Sequence, residues 1–138
     1  MTGFVQELHD IETAFISGWA AETPVAVENM GFNPDSGPDE FVQLIILDGD
    51  ARQASLSSIN QVHRYSGLVQ VSVYVRKNTG ATRARALLQK AHDIFCAKQI
   101  NNITFWTPYP RPGIDAGNYQ RYDLLCNFYR DDLRAQQA

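Results

Sequence analysis

The sequence predicts an α+β fold, a mainly antiparallel sheet of about five strands with two helices packed on one face. Two observations carry that expectation. Within residues 67–98 the hydrophobic period changes: Val69, Val71, Val73 and Val75 alternate with polar positions, and then Ala84, Leu87, Leu88, Ala91, Ile94 and Phe95 recur at helical spacing. A strand with its valines on one side needs a cover, and a helix with one apolar stripe needs a floor, so the helix is placed on the strand. The second observation is the order of elements, in which helices bracket runs of strands instead of alternating with them. That order argues against a doubly wound dinucleotide fold.

Taken in order, residues 4–21 read as the first helix, because Phe4, Leu8, Ile11, Phe15, Ile16 and Trp19 follow the spacing of one buried face. Glu7 near its start suits the positive end of the helix dipole, and Pro24 forces Thr23 into an extended state and ends the helix before it. Residues 25–28 form a short strand. Residues 30–40, with Gly31, Pro34, Gly37 and Pro38, form a surface loop. Residues 41–48 (FVQLIILD) are apolar on both faces, which marks a strand in the middle of the sheet. Asp48-Gly49-Asp50 then reads as a turn.

Residues 52–65 are polar and poorly periodic, and read as an extended edge strand or a long hairpin arm leading back into Leu68. Burial of its own side chains can order little of this stretch, so a neighbouring subunit is a candidate source of order. The turn at 76–80 leads into the second helix, with Asn78, Thr79 and Thr82 as capping residues. Residues 103–107 form a short strand. Residues 108–121, set by Pro108, Pro110, Pro112, Gly113 and Gly117, form a loop that is long for a compact domain: a binding loop, a partner contact or a surface excursion. Residues 122–129 close the sheet with Tyr122, Leu124, Cys126 and Phe128 on one face, and the polar tail 130–138 is expected to fray.

Length and composition fit one domain over residues 1–138, with 44% hydrophobic and 20% charged residues. No apolar run is long enough to cross a bilayer, and the start of the chain has no early Lys or Arg of a secretory signal, so the protein is expected to stay in the cytoplasm where it is made. The formal charge of -3 and pI near 5.5 provide no global positive field for nucleic acid or anionic lipid. Cys96 and Cys126 stand singly in apolar segments and read as reduced, mostly buried thiols.

Few residues suggest chemistry. Asp48 and Asp50 lack a third carboxylate at calcium-loop spacing, and His9, His63 and His92 share no helical metal-site spacing. Gly80 before a helix is joined by neither a Walker pattern nor GxGxxG, and no serine or cysteine sits in a nucleophile motif. No catalytic, cofactor or metal residue is therefore nominated. The aromatic and basic neighbours His63-Arg64-Tyr65 and Tyr119-Gln120-Arg121-Tyr122 can stack on single-stranded bases, but the acidic pI and the missing RNP motif weigh against that use. Arg76, Lys77, Arg83 and Arg85 crowd the start of the second helix, where the dipole disfavours positive charge. Either they pair with an acidic loop of the same chain at 35–40 or they contact an acidic surface of another subunit.

The motif order also resembles a known family. Residues 23–29 (TPVAVEN), Phe32, Pro34, the hydrophobic strand, Arg64 with residues 67–71 (GLVQV), then Gly80 and a helix ending Ile94-Phe95 are similar to the tail terminator family of long-tailed phages and prophages, also called tail completion or lambda-type minor tail proteins. The resemblance implies a structural α+β subunit of the virion, assembled in the bacterial host cytoplasm into a hexameric ring at the head-proximal end of the tail. It implies no catalytic site and no cofactor. The implied partners are copies of the chain itself, the tail tube protein and a head-completion or connector protein, with DNA only passing through the lumen and no membrane contact. In such a ring Arg76, Lys77, Arg83 and Arg85, with Arg52, His63 and Arg64 of the polar arm, are the candidate contacts. Two other readings stand beside it: a head-to-tail joining ring protein, and a small binding module or hydrolase with residues 108–121 as a lid.

Overall fold

The computed structural model describes residues 3–27, 38–55 and 60–135. Most of the loop expected at 30–40, and the family motif residues Phe32 and Pro34, lie outside the described residues. Among those described, the fold is α+β, with two helices and one sheet of eight strands instead of about five. The added strands are two or three residues long: two lie within 108–121, whose prolines and glycines read as a loop, and one lies at 99–100, just after the second helix.

Helix α1 spans Gly3–Trp19 and ends in two left-handed alanines, Ala20 and Ala21, with Trp19 Nε1 donating to Thr23 Oγ1 at 3.2 Å. Its buried face is Glu7, Asp10, Ile11, Phe15 and Trp19, whereas Phe4, Leu8 and Ile16 are 57%, 38% and 52% exposed. The expected apolar face is thus rotated, because Glu7 takes the inward position that its spacing from Ile11 and Phe15 dictates. Strand β1 (Val25–Ala26) runs parallel to β2 (Glu40–Ser55). Strand β2 does not stop at residues 48–50: the expected turn there is a register shift between Asp48 and Ala51, and the strand continues.

Strand β3 (Asn60–Arg76) pairs antiparallel with β2, so the polar stretch is the hairpin arm. Helix α2 (Thr82–Phe95) buries Ala84, Leu87, Leu88, Ala91, Ile94 and Phe95, as the stripe predicts. The expected side-chain cap is absent: Ala81 is the N-cap residue, and Thr79 Oγ1 instead donates to the Arg76 carbonyl at 2.7 Å and closes the turn. Strands β4 (Gln99–Ile100) and β5 (Ile103–Phe105) follow. The segment expected as a loop folds back as β6 (Tyr109–Pro110) and β7 (Ile114–Ala116).

The last strand, β8 (Tyr119–Ala135), corrects two expectations. It extends through most of the tail expected to fray, and with β3 it forms the middle of the sheet, in the order β1-β2-β3-β8-β5-β4. One edge of β8 carries the whole of β3, and the other carries β7, β6 and β5 in succession. Strand β2, expected in the middle, touches β1 only at Val42 and Gln43. Its second apolar face is explained by Phe41, which stacks on Tyr74 at 4.4 Å and meets Tyr119 edge-on at 5.1 Å, outside the main core cluster.

Both helices share one core with the inner face of the sheet. Ile11, Phe15 and Trp19 of α1 and the stripe of α2 meet Val69, Val71, Val73, Val75, Leu124, Cys126 and Phe128. Phe15 stacks on Phe95 at 6.1 Å, and Phe95 meets Phe105 at 5.0 Å. A Cβ on Gly18 would lie 2.8 Å from Ile94, so the bare glycine sets how closely the helices approach.

Candidate subunit-contact surfaces

The basic turn before α2 is largely neutralised within the chain. Helix α2 has no acidic residue in its first turn, so its carboxylate partners come from elsewhere in the fold. Arg83 Nε and Nη2 reach both oxygens of Glu40 at 2.6–3.0 Å, and Nη2 lies 3.4 Å from Glu22. Hydrogen bonds from Lys90 and Arg83 hold the Glu22 carboxyl below its usual range, and the bonds to Glu40 raise the Arg83 pKa. Lys77 meets Asp115 at 2.6 Å, and Arg76 lies 3.7 Å from Asp39 and over the Tyr119 ring. Of the paired acids, Asp39 and Glu40 lie in the stretch the sequence suggested, while Glu22 and Asp115 do not.

Arg85 differs. It is exposed, and no ion-pair partner is recorded for it among the described residues. It stands on the rim of a hollow of about 180 Å³ lined by Leu88, Gln89 and His92 of α2, Pro110 of β6 and Leu124 of β8. His92 on that rim is already engaged with Asp93 at 3.0 Å, and Gln89 donates to the same carboxylate. The segment 108–121 is therefore no lid: β6 is pinned to β8 and forms one wall.

In the arm, Arg64 faces Asp131 across the β3–β8 pair and donates to it through Nε and Nη2 at 2.8 and 2.9 Å, with its guanidinium 4.3 Å from the Tyr129 ring centre. His63 stands opposite Asp132 in register. Arg52 is opposite Arg64 on β2, and its side chain lies outside the described residues. Among the described residues the arm is held by its ladder and by these bonds within the chain.

At the base of the arm lies a cluster the sequence reading missed. Arg130 is buried and its Nε donates to Glu7 at 3.1 Å; it also pairs with Asp132. Its guanidinium sits against the rings of Tyr65 at 4.6 Å and Phe4 at 5.2 Å. Burial, with a hydrogen bond to Asp48, pushes the Glu7 carboxyl up to about 7 against the opposing pull of Arg130. Two sequence signals were available: Arg130 continues the alternation Leu124, Cys126, Phe128, and Glu7 continues the row of Ile11 and Phe15.

Burial pushes the Cys126 thiol up to about 12, and both cysteines are free. Among the described residues no three His, Cys, Asp or Glu side chains gather as a metal site, and no helix is long and apolar enough to cross a membrane.

Residues 7–119 match the family model described as phage tail terminator protein. One solved structure aligns over 99% of this chain and 99% of its own, with a TM-score of 0.62 and 18% identity, a likeness of fold. A search of curated proteins gives no match.

Proposed function

The chain belongs to the phage tail terminator family and is a structural component of the phage tail, and on that premise we propose that it closes the tail tube as a ring of identical subunits, a homohexamer. The ring sits on the head-proximal end of the tube, stops its growth and offers its far face to the head-completion or connector protein. The observation that carries this reading is the family match, which runs from α1 to the first residue of β8. The arm agrees with it: none of the described side chains between Leu47 and Leu68 belongs to the core cluster, leaving that ribbon available to neighbours in a ring. The net charge of -3 suits a lumen through which DNA slides without adhering.

The test is functional. Purified protein added to growing tail tubes that lack a terminator should arrest them at native length, with a ring visible at one end by negative-stain imaging. Tubes that continue to elongate would shift the reading to the head-to-tail joining ring, which acts after length is set.

A further inference from the structure

Three of the four cations at the start of α2 have carboxylate partners inside the subunit, and Arg85 has none recorded among the described residues. It borders a hollow whose apolar lining is Leu88, Pro110 and Leu124. At the opposite edge of the sheet, the irregular stretch of β2 presents a matching surface. There Leu47 is 47% exposed, and Asp48, Gly49 and Asp50 are exposed where the ladder with β3 loses register. A bulge bends its strand and re-aims the side chains there, so these residues meet a partner through side chains and not through an added strand. Asp48 is tied to Glu7, whereas Asp50 has no recorded ion-pair partner among the described residues.

The two surfaces have opposite charge and lie on opposite sides of the central β3–β8 pair, since β2 flanks β3 and β6 flanks β8. One subunit therefore carries both halves of a contact that it cannot make with itself. We infer that the β2 bulge of one subunit docks into the Arg85 hollow of the next, with Asp50 pairing with Arg85 and Leu47 adding apolar contact beside it. Such a contact is head-to-tail, the type that generates rings when its rotation closes. Complementary charge at its rim fixes register and partner choice. The inference rests on the ring reading above and names the two surfaces that make the ring.

The test is a charge swap in the full chain, with assembly followed by native mass spectrometry and by imaging on tail tubes. Arg85→Glu and Asp50→Arg should each raise the concentration needed for half-assembly by about tenfold or more, and the double variant should recover most of that loss. Both positions are exposed, and unchanged melting curves establish that the variants fold; Arg85→Gln and Asp50→Asn supply milder versions if a reversal does not. Single variants that assemble like the wild type, or a double variant with no recovery, would overturn the contact and leave the ring standing. A wild-type chain that stays monomeric on tubes at every concentration would overturn ring and contact together.

Discussion

Glu7 of α1 and Arg130 of β8 form an ion pair in which both side chains are almost wholly shielded from water, 3% and 1% exposed. The pair joins the first helix to the central strand where the arm leaves the core. Its carboxyl half titrates upward, from 4.5 to about 7, chiefly because burial disfavours the charge.

A pH dependence follows. Between those two values the folded state holds a proton on Glu7 that the unfolded chain has released, so stability falls as pH rises from about 4.5 to about 7. Glu7→Gln imitates the protonated form and should remove that slope. Thermal melts across this range should show wild type and variant close together at pH 5, with the variant relatively more stable at pH 8. A wild type that gains stability through this window relative to Glu7→Gln would reverse the assignment.

Arg83 and Arg85 should part company in stability measurements. Arg83→Ala strips Glu40 and Glu22 of their shared cation and should cost about 1 kcal/mol or less, since the side chain is 44% exposed and solvent screens the pair, with the loss shrinking in high salt. Arg85→Ala should leave denaturant midpoints unchanged. Equal losses in the two variants would mean that Arg85 also has a partner within the subunit.

Gly67→Ala should destabilise the subunit by about 1–3 kcal/mol, the usual cost of overpacking. A Cβ there would stand 2.5 Å from the Phe128 ring and 3.0 Å from the Leu47 carbonyl oxygen. Urea unfolding would measure it, and a neutral outcome would mean that the Phe128 ring and the β2 backbone give way without cost.

Phe95→Ala should cost about 3–5 kcal/mol, because the ring is fully buried among Phe15 and Phe105. Trp106→Ala, removing a side chain that is 59% exposed, should cost little. A comparable loss at both positions would mean that the surface at Trp106, the residue after β5, is covered in the folded protein.

The stripe of α2 and the valines of β3 were legible in the sequence because each obeys one period and faces one environment. The first helix was half legible: Ile11, Phe15 and Trp19 are core, but hydrophobicity alone counted Phe4, Leu8 and Ile16 with them and passed over Glu7, whose burial depends on a cation 123 residues away. Strands β6 and β7 were hidden because their order comes from pairing with β8, a long-range property that no local pattern of prolines reveals. The basic cluster was visible as a cluster, but its division into paired Arg76, Lys77 and Arg83 and exposed Arg85 depends on where Asp39, Glu40, Glu22 and Asp115 land.

The position of β8 also bears on how the subunit comes to exist. The strand that all of β3 and each of β5, β6 and β7 pair with follows every one of them in the described sequence. During synthesis the sheet has no centre until those residues emerge, so the valine face of β3 must wait beside its helix with one edge open. Long-range pairing of this kind folds slowly and exposes unpaired strand on the way. Stopping synthesis ahead of β8 therefore yields a sheet without its middle.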